Sequence, residues 1–210
     1  MKSFLLLVTS ILTISTATVQ ARTRGDGNIS VYGGPFAYKT NFSSAKYSGK
    51  VPDQAGLGLV VVGDIDESSG LEIGMFFLNK TYFRQDNNSF LVEETKLAHI
   101  AMGYRRQMTD LLSGSITFSS GYAMGDPTVI RNDFANGSGV DTSVRDTAEY
   151  GFDFSLQAEM FREANPSFVT DIRYYKSLTP KPSESADHYG VMFGLQYQLQ
   201  EKTRNGNLKK

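Results

Sequence analysis

The 210-residue chain carries 21 lysines and arginines against 22 aspartates and glutamates, a net charge of −1 that gives no argument for nucleic-acid binding or a basic membrane-surface patch. It has no cysteine, which excludes disulfides and thiolate chemistry and leaves burial and hydrogen bonding to hold the fold. The length suits one domain, and no linker-like stretch divides it.

Residues 1–21, MKSFLLLVTSILTISTATVQA, read as a secretory signal peptide, with one lysine, an apolar run from Phe4 to Ile14 and small residues before Arg22. The run is about half the ~20 residues that a spanning helix needs, so cleavage after Ala21 is expected rather than anchoring. Beyond it the longest apolar run is near Leu57 to Gly63. If the chain crosses a membrane, it crosses with strands.

Alternating stretches then follow at about 28–38, 55–65, 70–83, 90–106, 111–125, 147–162, 167–178 and 187–199. Eight strands and no helical pattern predict an all-β barrel domain over 22–199. The connectors alternate in length: 39–54 is long, DESS at 66–69 short, RQDNNS at 84–89 medium and QMTD at 107–110 short. Then come 126–146, the longest, EANP at 163–166, short, and 178–186, medium. Every second connector is tight, and the tight ones share an end with both termini. This pattern predicts a closed eight-stranded antiparallel transmembrane β-barrel with short periplasmic turns and longer extracellular loops.

The two faces of each strand differ in chemistry. One carries Phe77, Phe118, Phe152, Phe154, Leu156 and Phe193 among other apolar residues, with tyrosines such as Tyr104, Tyr122, Tyr150, Tyr174 and Tyr189 toward strand ends. These are expected to face lipid, with the tyrosines at the headgroup boundary. The opposite face carries Glu72, Lys80, Glu93, His99, Arg105, Glu149, Asp153, Gln157, Glu159, Asp171 and Arg173, with small serines and threonines between them. Parity alone also allows the inverse, a soluble periplasmic barrel that carries a lipid inside.

At the last strand, GLQYQL places Gly194, then Tyr197 three positions on, then Leu199 two further. It resembles the carboxy-terminal assembly signal of bacterial outer-membrane proteins. With it, the whole chain from residue 22 resembles the small eight-stranded outer-membrane barrels of the OmpA, OmpX and OmpW type. The resemblance implies the outer membrane of a Gram-negative-type cell, with outer-membrane lipid and the outer-membrane assembly machinery as partners. The sequence departs from the pattern twice: Met192 stands where a polar residue is usual, and a basic tail, 200–210, follows Leu199. The tail reads as a polar periplasmic extension.

An eight-stranded barrel is about wide enough for its own side chains, so the interior charges need partners. The 84–89 connector, taken as the turn, puts Lys80 near Glu93. Across 163–166, Arg173 falls near Gln157, with Glu159 and Asp171 close by. The expected result is a plug of salt bridges and hydrogen bonds, with catalysis not expected. His188 stands beside Asp187 and Ser185, but polar loop composition accounts for that grouping. No metal-ligand spacing or phosphate cradle occurs, so no cofactor is expected. The leading functional expectation is a structural or surface-interaction barrel that meets external ligands through 39–54 and 126–146. A narrow conduit for small apolar molecules is the alternative, its cue being Phe76, Leu78 and Leu97 on the inward parity.

Overall fold

The computed structural model describes residues 28–44, 46–134, 141–143, 147–161 and 166–199. The expected signal peptide, 1–21, and the 200–210 tail lie outside them. The described residues form ten strands: β1 (Ile29–Thr40), β2 (Gln54–Asp64), β3 (Ser69–Asp86), β4 (Ser89–Gln107), β5 (Leu112–Ala123), β6 (Thr128–Asn132), β7 (Glu149–Met160), β8 (Ser167–Ser177), β9 (Glu184–Ser185) and β10 (His188–Leu199). Eight of them close a ring, β1-β2-β3-β4-β5-β7-β8-β10, with β10 returning to β1 from Ile29↔Leu199 to Thr40↔His188. All pairings are antiparallel. Closure flanks each strand of the ring with a neighbour on both sides, which removes the exposed edges of an open sheet within the ring.

Alternation decides what each side of the wall meets. Asp153 is 2% exposed and Phe154 is 44% exposed, and the same contrast runs along β7, β8 and β10. An inverted barrel requires the opposite, so the soluble lipid-carrier reading fails here: apolar side chains cover the outer wall and charged ones fill the inside.

At the turn end the chain reverses in few residues. Asp66 accepts from Ser69 Oγ (2.6 Å), Ser68 N (2.7 Å) and Ser68 Oγ (2.9 Å). These bonds, that from the Ser69 hydroxyl foremost, lower its carboxyl to about 2. Across the next short turn, Met108 N donates to Leu112 O at 2.9 Å.

The other end departs from the sequence expectation. RQDNNS is not a six-residue connector: the β3–β4 ladder runs on to Asp86↔Ser89, leaving Asn87 and Asn88 as a two-residue turn. Asn87 has φ 52°, in the left-handed region that asparagine tolerates better than other side chains do. Pairing of β3 with β2 ends at Phe77, and pairing of β4 with β5 ends at Leu97. The hairpin therefore runs on past the ladders of its ring neighbours for roughly 30 Å along the strand. Two of the expected loops hold strands that flank it: β6, from 126–146, pairs with β4, and β9, from 178–186, pairs with β3.

The seam between the first and last strands contains one tight approach. Pro35 has no N–H, and the β1–β10 ladder skips Gly34 and Pro35. A Cβ on Gly34 would collide with the Phe193 carbonyl oxygen across the seam. Gly34→Ala is expected to cost about 1–3 kcal/mol, as overpacking does. A urea titration that follows the loss of heat-modifiable gel mobility checks this, and an unchanged midpoint contradicts it.

Candidate functional site

The barrel interior is built in tiers, from the turn end upward. In the lowest, Arg105 on β4 donates Nε to Glu72 Oε2 (2.5 Å), Nη1 to Gln157 Oε1 (2.6 Å) and Ser113 Oγ (2.8 Å), and Nη2 to the Tyr32 hydroxyl (2.9 Å) and Ser155 Oγ (2.9 Å). Arg173 on β8 donates Nη2 to Glu72 Oε1 (2.7 Å) and Asp171 Oδ2 (2.8 Å), and the Tyr32 hydroxyl donates to the same Asp171 oxygen at 3.0 Å. Glu72 thus takes one arginine on each oxygen. Two guanidiniums and two carboxylates balance, which offsets the heavy cost of carrying isolated ions away from water. Glu159, nearer the turns, accepts from Ser167 Oγ at 2.8 Å.

Above lies His99, with Nε2 2.9 Å from Asp153 Oδ2, the oxygen to which Ser119 Oγ also donates. Serine, aspartate and histidine are together, but serine and histidine both address the carboxylate, so no base contacts a nucleophilic hydroxyl. His188 is buried with its ring stacked on Tyr175 at 4.9 Å. Asp187 turns away from it to the outer rim, where it accepts from Lys176 Nζ (2.8 Å) and the Tyr174 hydroxyl (3.0 Å). The Ser185, Asp187 and His188 grouping is therefore not assembled.

The third tier corrects the expected partner of Lys80. Its Nζ donates to both oxygens of Glu149 on β7, at 2.9 and 2.8 Å, and it lies over the Tyr175 ring at 4.4 Å. Tyr82, which stands opposite Glu93 in the ladder, donates its hydroxyl to Glu149 at 2.8 Å. The ladder places Thr95, not Glu93, opposite Lys80, because the two-residue turn sets the register. Likewise, Arg173 lies opposite Ser155, and Gln157 opposite Asp171. Gln157 is held by Arg105 instead.

Glu93 belongs to a fourth tier, around Arg84, which the expected turn had hidden. This guanidinium is buried above the barrel and donates Nη2 to Glu93 Oε2 (2.9 Å) and Nε to Glu184 Oε1 (3.3 Å). Its Nη1 donates to the carbonyls of Asp141 (2.7 Å) and Ser143 (2.9 Å), so it ties the hairpin to both neighbouring loops. Lys181 Nζ adds bonds to Ser143 O (3.0 Å) and Ser143 Oγ (2.8 Å). On the hairpin's other face, the Phe42 ring stacks on Phe83 at 4.3 Å and 2°, and Tyr47 packs against Phe83 and Phe90. Arg131 of β6 lies over Tyr47 and Phe90 at 5.6 and 5.5 Å. Residues 41–44 and 46–53, β6, 141–143 and β9 therefore form one packed head on the β3–β4 hairpin.

Phe76, Leu78 and Leu97, the cue for a conduit, are each 2% exposed and belong to a cluster with Phe36, Tyr38, Val60 and Met192. They fill the interior beside the polar tiers. On the outer wall, Phe77, Phe118, Phe152, Phe154, Leu156 and Phe193 are exposed, and so are Tyr197 and Leu199 of the last strand, while Gly194 abuts Gly33 across the seam. Among the described residues no group of three or more histidines, cysteines or carboxylates is placed to hold a metal ion.

No protein-family model matches the chain, and no curated protein matches it by sequence. Solved structures do match. The outer membrane protein OprG from Pseudomonas aeruginosa aligns with a TM-score of 0.55 at 15% identity, over 84% of this chain and 97% of that one. Ail, the attachment invasion locus protein of Yersinia pestis, in complex with the heparin analogue sucrose octasulfate, aligns with a TM-score of 0.50 at 12% identity, over 83% and 99%. The fold is that of the small eight-stranded outer-membrane β-barrels.

Lys80 and Glu149 provide the sharpest energetic test of the interior. Lys80→Met strands a buried carboxylate and is expected to cost about 3–5 kcal/mol, whereas Lys80→Met with Glu149→Leu removes both charges and recovers most of the loss. Urea midpoints of the single and double variants measure this; equal losses in both contradict the pairing.

Proposed function

We propose that the protein is an integral outer-membrane barrel that presents a structured head to the exterior and works as a structural or surface-interaction element. The observation that carries this reading is the Arg84 cross-tie, which joins three external segments into one body. A head ordered in this way meets a partner without first losing the freedom of separate loops. On this reading Phe77, Phe118, Phe152, Phe154, Leu156 and Phe193 contact acyl chains. The network of Glu72, Lys80, Glu93, His99, Arg105, Asp153, Gln157, Glu159, Asp171 and Arg173 plugs the interior. Residues 1–21 direct export, and Gly194, Tyr197 and Leu199 address the assembly machinery.

External ligands would be met by 39–54 and 126–146. That Ail was solved with a heparin analogue makes sulfated saccharides a sensible first probe of this head. The conduit reading finds less support, because Phe76, Leu78 and Leu97 are packed rather than lining a gap.

The chain has no cysteine, so single introduced thiols report its placement. A membrane-impermeant thiol reagent is expected to label Ile130→Cys on intact cells, and Glu67→Cys only after the outer membrane is permeabilised. Phe154→Asp should abolish membrane insertion, and Asp153→Asn should leave it intact. Wild-type protein recovered in the soluble fraction, or the two cysteines labelled alike, would overturn the proposal.

A further inference from the structure

On the outer rim, where β8, β10 and β1 meet the head, a cavity of about 220 Å³ is lined by Asn41, Lys176, Pro180, Glu184, Ser185, Ala186 and Asp187. Its position follows from the strand register. Lys39 pairs with Tyr189, and Asn41 N donates to Asp187 O at 2.8 Å, so the cavity opens just beyond Tyr189. Lys176 lies two residues beyond Tyr174 on the same outward face of β8. The cavity therefore sits directly above the tyrosines of the outer wall.

The floor is fixed. Asp187 accepts from Lys176 Nζ at 2.8 Å, from the Tyr174 hydroxyl at 3.0 Å and from Ser177 N at 3.0 Å. Glu184 accepts from Arg84 Nε at 3.3 Å and from Lys181 N at 2.9 Å. Lys176 remains 55% exposed and spends one of its three donors on Asp187. The lining thus mixes an ammonium, an amide, a hydroxyl and two carboxylates whose charges are already met.

That mixture selects a ligand class. A phosphate or sulfate entering here would meet two carboxylates, and an apolar tail would strand the polar lining. A polyol, which both donates and accepts, matches it. The volume lies below the roughly 300–1,000 Å³ of sites for drug-sized ligands, so it suits a single ring. We propose that the cavity binds one sugar ring of a glycolipid headgroup in the surrounding outer leaflet. The height above the tyrosines points to a ring carried by the membrane rather than one free in solution. This rests on the membrane-inserted reading above.

The test uses the folded full-length barrel in detergent micelles, with short-core lipopolysaccharide as the probe and native mass spectrometry to measure retention. Phosphatidylglycerol and the deacylated core oligosaccharide are run beside it, and heat-modifiable mobility is checked on each sample. Lys176→Met should weaken glycolipid retention about tenfold, the loss expected for one charge-assisted bond, and Ser185→Leu, which fills the cavity, should weaken it at least as much. Lys96→Met removes an exposed outward lysine on β4 and should change nothing. Phosphatidylglycerol retained as well as the glycolipid, or equal losses in all three variants, would reduce the site to surface charge and overturn it. Deacylated oligosaccharide bound as tightly as the lipid would overturn the membrane source. Absence of glycolipid retention by a heat-modifiable, membrane-pelleted barrel sinks the site alone. A wild-type chain that neither pellets with membranes nor shows that mobility sinks the membrane reading, and this proposal with it.

Discussion

Everything in this structure depends on one constraint: the backbone ladder closes on itself. Once β10 has returned to β1, each strand within the ring is flanked by a neighbour on both sides, and side chains must divide between an inside and an outside by strict alternation. That division puts Phe154 and Asp153, neighbours in sequence, into opposite environments. It also makes register the determining variable. A slip of one residue anywhere in the ring would turn a row of carboxylates outward and a row of aromatic rings inward.

Closure creates a second problem, which the interior solves by neutralisation. Charged groups cannot escape to solvent from inside so narrow a ring, so they carry their own counter-charges: Glu72 and Asp171 against Arg105 and Arg173, Glu149 against Lys80, and, above the ring, Glu93 and Glu184 against Arg84. Two of these pairs, Lys80–Glu149 and Glu72–Arg173, join strands that are not adjacent in the ring. Cross-barrel pairs resist ovalisation of the ring in a way that ladder hydrogen bonds, which run around the wall, do not. The apolar cluster of Phe36, Phe76, Leu78 and Met192 occupies the volume that the ions leave, so rigidity comes from packing as well as charge.

Much of this was legible in sequence, and the limits have physical causes. Alternation separates Asp153, Gln157 and Glu159 from Phe152, Phe154 and Leu156 without reference to any fold, because period two is a property of the strand itself. Connector lengths reveal which end holds the turns. Partners were not legible, since a salt bridge across a barrel depends on the shear of the closed ring, and no local pattern encodes that quantity. Lys80 shows the difference: a hairpin argument gave it Glu93, whereas closure gives it Glu149. Arg84 was missed because polar residues on both sides of Asn87 and Asn88 resemble a loop. Lys80, Tyr82 and Arg84 in fact keep to the face that meets Glu149 and Glu93 up to the turn, and Asn87, a residue that tolerates a positive φ, begins it. Loop 126–146, read as a surface, also supplies β6 and two carbonyls to a buried guanidinium.

The assignment of the two environments is the claim on which the rest stands. The chain contains no tryptophan, so a single introduced indole reports its own surroundings without background. Tryptophan placed at Phe118, Phe154 or Phe193 should be strongly quenched in bilayers of lipids brominated near the acyl-chain centre, and tryptophan at Phe76 should not. Quenching at Phe76 with protection at Phe154 would show the wall turned inside out and would contradict the account.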